Sequence, residues 1–164
     1  MTVKLDKTDR QILDLLQENG RMPNNELARR IGLTTTPTLE RVKRLEREGV
    51  IRGYTAWIDK EAIGKGLTVF CSIKLSVHQL GKMEEFSGHI HSIPEILACY
   101  NIAGEYDYLL HVVVEDTRAY EHFLRKSLTR IPGVERIHTG IVLSVTKEQS
   151  KISVMNDEDE ETSE

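Results

Sequence analysis

The chain has 164 residues, 39% of them apolar and 29% charged, enough for one medium domain or two small ones. No run approaches the roughly 18 apolar residues of a membrane helix, and the charged stretch Met1–Arg10 does not read as a signal peptide, so a membrane partner is excluded. The net charge of −4 hides an asymmetry: residues 1–60 hold 12 Lys/Arg against 9 Asp/Glu, residues 61–155 hold 10 against 11, and residues 156–164 hold six acids and no base. The net-basic segment, the one suited to nucleic acid, therefore lies at the front.

Three helical patterns follow in quick succession. Ile12, Leu13, Leu15 and Leu16 form an apolar stripe, with Asp6 or Thr8 as start cap and Asn19-Gly20 as stop. The second pattern has Asn24 as N-cap after Pro23, turns Leu27, Ala28 and Ile31 inward, and ends at Gly32. The third opens on Thr34-Thr35-Thr36-Pro37, read as Thr36 in the cap position with proline at the first helical position. Leu39, Val42 and Leu45 then face inward and Gly49 stops the helix. Two helices joined this tightly match helix-turn-helix geometry. The stretch Val50–Ile58 is β-branched and aromatic and reads as a strand or wing.

With the apolar positions of the third helix turned in, Arg41, Lys43, Arg44 and Arg47 are expected to project outward, and Thr35, Thr36 and Thr38 cluster at the helix start. Arginine pairs bidentately with guanine, threonine touches base edges or a thymine methyl, and a helix N-terminus suits a phosphate. Arg41, Arg44 and Thr38 are assigned to the groove, Lys43 and Arg47 to phosphates. The plainer alternative is an exposed charged face paired with Glu40, Glu46 and Glu48. The short turn, the threonines and the following wing favour double-stranded DNA.

Residues 59–66 read as a hinge. From Leu67 to Val77 apolar and polar residues alternate, the signature of a half-buried strand. A helix carrying Met83, Phe86, Ile90 and Ile93 follows and stops at Pro94. Strands are expected at Ile96–Ile102 and Tyr108–Val114, joined by the turn Gly104–Asp107. Asp116 or Thr117 caps a second helix bearing Tyr120, Phe123, Leu124 and Leu128, and a last strand spans about Val134 to Thr146. The order βαββαβ gives a ferredoxin-like two-layer sandwich, so the whole chain is α+β. The third strand is apolar on both alternating sets, and Phe70 and Val142 add to the second. A sheet face turned to water would be polar there, so a second copy of the chain is expected to cover it.

The six histidines, among them His78, His89 and His91, show no metal spacing. Cys71 and Cys99 each read as small buried core residues, with a reducing cytoplasm as the setting. No nucleophile–base set or phosphate loop is present, so neither an enzyme nor a cofactor is expected. The better ligand candidate is the Gly104-Glu105-Tyr106-Asp107 turn. Its backbone N–H groups suit a carboxylate and its acids an ammonium, the two ends of a free amino acid. A plain hairpin turn is the alternative.

The segments Leu5–Leu13, Asn19-Gly20-Arg21, Thr36–Glu46 and Gly49–Tyr54 resemble the DNA-binding half of the Lrp/AsnC (leucine-responsive/asparagine regulator, feast/famine) family. Gly104–Leu110, Ala119-Tyr120 and Ile131–Val134 resemble its sensor domain. The resemblance covers about residues 5–147. It implies dimers built through the sensor sheets, further assembly into octamers, and an amino-acid effector bound between dimers. The effector site maps onto Gly104, Glu105, Tyr106 and Asp107, with Tyr100, Ile102, Ile137 and Thr139 as neighbours. Relatives often carry two threonines two apart where this chain has Ile137 and Thr139.

The expected organisation is a winged helix-turn-helix at 1–58, a hinge at 59–66, a ligand-sensing and oligomerisation domain at 67–147, and an extension at 148–164 whose acidic tail is a solvating one. The expected function is a cytoplasmic, sequence-specific transcription regulator whose oligomer or DNA affinity responds to an amino acid. The alternative is a ligand-independent DNA-wrapping architectural protein. A third, weaker alternative is an enzyme or enzyme subunit using the βαββαβ domain alone.

Overall fold

The computed structural model describes residues 3–76, 80–149 and 151–154, and for residues 80–83 the backbone alone. Val77, His78, the side chain of Met83 and the acidic tail therefore lie outside the described residues. The chain divides into two compact units, one made of the residues up to Trp57 together with those from Lys147, the other of Ile58–Thr146. Among the described residues no helix is long and apolar enough to cross a membrane.

The first unit holds α1 (Lys7–Glu18), α2 (Asn24–Arg30) and α3 (Thr35–Arg47). Asp6 caps α1 through a reciprocal box: Asp9 N–H donates to the Asp6 carboxylate at 2.8 Å, and Asp6 N–H donates to the Asp9 carboxylate at 3.1 Å. The turn between α2 and α3 is fixed by a glycine C-cap. Gly32 sits at φ 72°, where only a residue without Cβ is at ease, and Leu33 N–H reaches back to Ala28 O at 2.9 Å. Gly49 ends α3 in the same way, with Val50 N–H donating to Leu45 O at 2.9 Å. Ile12, Leu13, Leu27, Val42 and Leu45 close the core between the three helices.

Several local expectations are corrected here. Pro23, not Asn24, occupies the cap of α2. Thr34, not Thr36, is the extended residue before α3, and its side chain makes no cap bond. Pro37 is therefore the third helical residue, still inside the turn whose N–H groups have no helical acceptor, so its missing donor costs nothing. Residues 50–58 form no strand, because no second extended segment pairs with them. The wing is instead an irregular segment anchored by Tyr54. Its hydroxyl donates to Glu46 at 3.0 Å and its ring edge stands 3.3 Å from where a Cβ on Gly20 would be.

The second unit is a four-stranded antiparallel sheet in the order β2-β3-β1-β4, built from β1 (Leu67–Leu75), β2 (Ile96–Asn101), β3 (Tyr108–Val114) and β4 (Val134–Ile141). The period-2 reading holds in β1, where Val69, Cys71, Ile73 and Leu75 are buried. Helices α4 (Leu80–His91) and α5 (Thr117–Lys126) contribute Phe86, Ile90, Tyr120 and Phe123 to the core on that face. Asp116 caps α5 by accepting Ala119 N–H at 2.8 Å. β4 stops at Ile141, short of the expected Thr146; Ile141 lies opposite Val69, and one further bond, Val142 N–H to Thr68 O at 3.0 Å, follows before the chain leaves the sheet. Cys99 is exposed, contrary to expectation: β2 is an edge strand with a bulge between Ile96 and Ala98.

The tightest polar junction of the first unit is Asp9. Its carboxylate is 1% exposed and receives two arginines of α3: Arg41 at 2.8 Å, and Arg44. Replacing Asp9 by Asn removes the charge that both guanidinium groups face. That substitution is expected to destabilise the unit by about 3 kcal/mol, read as a lowered urea midpoint. Arg41→Ala leaves Arg44 on Asp9 and is expected to cost less, roughly 1–2 kcal/mol.

Candidate nucleic-acid interface and ligand site

The outward surface of α3 differs from the expected one. Thr38 is fully buried and its hydroxyl donates to Thr34 O at 2.9 Å, so it cannot reach a base. The inward row is Thr38, Val42 and Leu45, while Leu39 is half-buried. Arg41 and Arg44, assigned to the groove from sequence, have partners on the first helix. Both are drawn back to α1: Arg41 bridges Asp6 at 2.6 Å and Asp9, and Arg44 binds Asp9. Each remains about one-third exposed, at 31% and 34%. Partial burial pushes the Asp6 carboxyl up, but the Asp9 N–H and the Arg41 guanidinium outweigh it and hold it below its ordinary value. Arg41 is raised in turn by its bonds to Asp6 and Asp9. A depressed carboxylate stabilises the fold above its unfolded pKa, so this contribution fades as pH falls below about 4.

What α3 leaves exposed is Thr35, Thr36, Glu40, Lys43, Glu46 and Arg47. Positions 36, 40, 43 and 47 repeat at helical spacing and form one stripe. Glu40 is the residue that sequence reasoning missed there, having been read as a pairing partner for the arginines. Tyr54, held on Glu46, has its hydroxyl pushed up to about 12 by burial and by that carboxylate.

In the sheet, residues directly opposite one another share a face. Cys99, Leu110, Cys71 and Thr139 form one cross-strand row, and Asn101, Tyr108, Ile73 and Ile137 another; both rows face the helices. Tyr100, Leu109, Ser72 and His138 form a row on the opposite, uncovered face, and Ala98, His111, Phe70 and Gly140 the next. Of the eight positions expected around an effector, Ile137 and Thr139 thus lie on the helix side. Ile137 packs against the core, and Thr139 is 2.7 Å from the Tyr120 hydroxyl, which also meets the Cys71 sulfur at 3.1 Å. Burial raises the Cys71 thiol, an effect the Tyr120 bond partly offsets, and burial together with Cys71 raises the Tyr120 hydroxyl.

The turn folds over the uncovered face instead. Asp107 accepts Leu75 N–H at 2.8 Å and lies 3.5 Å from the Lys74 ammonium; Glu105 lies 3.4 Å from Arg136; the Tyr106 and His138 rings are 6.0 Å apart. Gly104 stands at φ 141° at the tip, and Asp107 O ties the turn base by accepting Ile102 N–H at 3.0 Å. Lys74, Arg136 and His138 are therefore the residues that the sequence reading missed. They sit at alternate positions of β1 and β4 on the face away from the helices. A single chain brings the turn, Lys74, Arg136 and His138 together, and does not gather Tyr100, Ile137 and Thr139 into one pocket. Tyr100 is on the outer strand β2, at the opposite edge of the sheet from β4 with two strands between.

This placement makes Thr139 a packing residue. Thr139→Val and Tyr120→Phe are each expected to cost about 1 kcal/mol of stability in urea unfolding, since each leaves a half-buried hydroxyl or sulfur short of a partner. A Thr139→Val chain that unfolds like its parent would contradict that role.

Two family models match: one described as winged helix-turn-helix DNA-binding over residues 5–52, and one as the Lrp/AsnC ligand binding domain over residues 68–152. The leucine-responsive regulatory proteins of Escherichia coli K12 and Salmonella typhimurium are 40% identical over 150 residues, covering 92% of this chain and 92% of theirs. Among solved structures, a transcriptional regulator from Neisseria meningitidis in complex with L-Met superposes with a TM-score of 0.86 at 36% identity, over 91% of this chain and 96% of that one. An AsnC family transcriptional regulator from Agrobacterium tumefaciens also gives 0.86, at 32% identity over 90% and 96%.

Proposed function

The chain belongs to the Lrp/AsnC family of transcriptional regulators, and from that premise we propose how its residues divide the work. The first unit carries the family's DNA-binding helix-turn-helix and the second its amino-acid-binding domain. The observation that carries the DNA reading is the exposed stripe of α3. Lys43 and Arg47 project from it without being drawn to α1, and Thr35 and Thr36 stand at a helix N-terminus whose N–H groups suit a phosphate. Glu40 shares the stripe and has the chemistry to accept from a cytosine amino group. Arg41 and Arg44 act one step back, holding the angle at which α3 is presented.

For the effector, the exposed pair Glu105–Arg136 and the partly buried pair Asp107–Lys74 supply two anions and two cations beside one turn. An exposed ion pair such as Glu105–Arg136 is worth only about 0–1 kcal/mol, so a zwitterion exchanges into it at little cost. Its carboxylate would take Arg136 and its ammonium Glu105. The regulator from Neisseria meningitidis carries L-Met, which favours an amino acid with an apolar side chain here too. The pocket is completed by a second copy of the chain across the uncovered sheet face. Phe70, 37% exposed, and Tyr100, 54% exposed, are apolar groups that such a copy would cover. The setting is the cytoplasm, where duplex DNA and free amino acids meet.

Two experiments test this reading. Lys43→Ala and Arg47→Ala are each expected to weaken binding to a selected duplex by about 1–3 kcal/mol in fluorescence anisotropy, with the salt slope reduced by about 1. Glu40→Gln is expected to change the preferred base at one position. Equal affinity of parent and variants for selected and random duplexes would defeat the sequence-specific reading. For the effector, a melting screen against the twenty amino acids is expected to yield at least one stabilising apolar ligand. At 100 times its dissociation constant such a ligand adds about 2.7 kcal/mol, and Arg136→Ala should abolish the shift.

A further inference from the structure

In the helix layer of the second unit, where α4 and α5 end, an open cavity of about 310 Å³ is lined by His89, Lys126 and Arg130. No acid among the described residues lines it. Bases near a helix C-terminus ordinarily serve the last carbonyls of that helix. Here those carbonyls have other donors. His89 O accepts the Ser92 hydroxyl at 2.7 Å, Ile90 O accepts Ile93 N–H at 3.2 Å, Phe123 O accepts Ser127 N–H at 2.9 Å, and Arg125 O accepts the Thr129 hydroxyl at 3.4 Å. The side chains of His89, Lys126 and Arg130 have no hydrogen-bond or ion-pair partner among the described residues. The one acid of α5, Glu121, lies 3.7 Å from Arg125 instead.

These groups have the chemistry of an oxyanion site. An arginine fork takes two oxygens of a phosphate at once, a lysine brings a mobile point charge, and an imidazole adds an N–H. Ser127 shares the lining, and its hydroxyl makes no cap bond to the short 3-10 turn Leu128–Arg130 that follows. A phosphate monoester presents three strong acceptor oxygens and close to two negative charges, more than a carboxylate offers such a donor set. Ile93 and Ile131 complete the lining and give it an apolar part. The volume is that of a small ligand pocket, of which about 300 Å³ is the lower end. A bare phosphate would leave most of it to water. The cavity is separate from the Gly104–Asp107 turn, whose partners Lys74, Arg136 and His138 lie on the sheet face away from the helices.

We propose that this cavity is a second ligand site, which takes a small phosphate monoester through Lys126, Arg130 and His89. The test titrates phenyl phosphate into the full chain by calorimetry at fixed ionic strength. Saturable binding of one ester per chain is expected, with inorganic phosphate roughly tenfold weaker and phenol silent. Lys126→Gln and Arg130→Gln are each expected to weaken the ester roughly tenfold. Arg130→Lys, which keeps the charge and loses the fork, should fall between Arg130→Gln and the parent. Both side chains are exposed, so the variants are expected to melt like the parent. Lys43→Ala and Arg136→Ala, on α3 and at the turn, should bind the ester as the parent does. No saturable heat, equal affinity of the parent and both Gln variants, or loss of binding in Lys43→Ala or Arg136→Ala overturns the proposal. Inorganic phosphate binding as tightly as phenyl phosphate overturns its assignment to a monoester.

Discussion

The buried carboxylate of Asp9 sets the geometry on which the DNA-binding half depends. It closes the capping box of α1, and from α3 it receives Arg41 and Arg44. An isolated carboxylate in that position would be costly to bury. Two guanidinium groups and a backbone donor satisfy it. Because the backbone donor belongs to the start of α1 and the guanidinium groups to α3, they also tie the two helices together. The arginines stay one-third exposed, so water shares the cost of their charge and the junction stays short of a fully buried ion triad, which is often no gain over apolar packing. The stripe Thr36, Glu40, Lys43 and Arg47 then faces outward because Thr38, Val42 and Leu45 face in and the arginines on its flank are engaged.

What could be read from the sequence is what local chemistry dictates. The glycines after α2 and α3, the Asp116 cap, the alternation of β1 and the order βαββαβ all rest on neighbours within a few residues, and all appear. The differences arise where a distant partner decides. Arg41 and Arg44 look like groove readers until Asp9, more than thirty residues upstream, is placed beside them. Thr38 reads as a groove residue because Leu39, Val42 and Leu45 recur every three residues and already supply an inward row. The helix has 3.6 residues per turn, however, and a threonine that bonds its own i−4 carbonyl can sit in the core in place of a leucine. Cys99 looks internal by composition, yet its strand has a neighbour on one side alone.

The sheet divides the expected ligand residues for a similar reason. Ile137 and Thr139 are two apart, and that spacing keeps them on one face whatever the face is. Register decides which: opposite Ile73 and Cys71, both are turned toward the helices, and Thr139 is taken up by Tyr120. The charged residues one position out of phase, Lys74, Arg136 and His138, meet the Gly104–Asp107 turn on the other side. The same face carries Phe70, Leu109 and Tyr100. The paired charges beside the turn and the exposed aromatics Phe70 and Tyr100 are thus displayed on one face.

For a ligand at that turn to alter DNA affinity, it must bind one arrangement of the chain better than another, and by linkage DNA must then alter ligand affinity by the same factor. The covalent routes for such an effect are the two places where the chain passes from one unit to the other, after Trp57 and after Thr146. Each leads to a residue that touches the recognition apparatus. On one route, three residues before Trp57, Tyr54 is bonded to Glu46 of α3 and seated on Gly20. On the other, residues 151–154 are fastened to α1 from Glu18 to Arg10, and α1 grips α3 through Asp9. β4, which carries Arg136 and His138, runs directly into that second route with no intervening helix or strand. A change in β4 therefore meets α3 through short backbone and a buried carboxylate. Loosening the two bonds between the Gln17 side chain and the Ile152 backbone should uncouple ligand from DNA while leaving both binding surfaces intact.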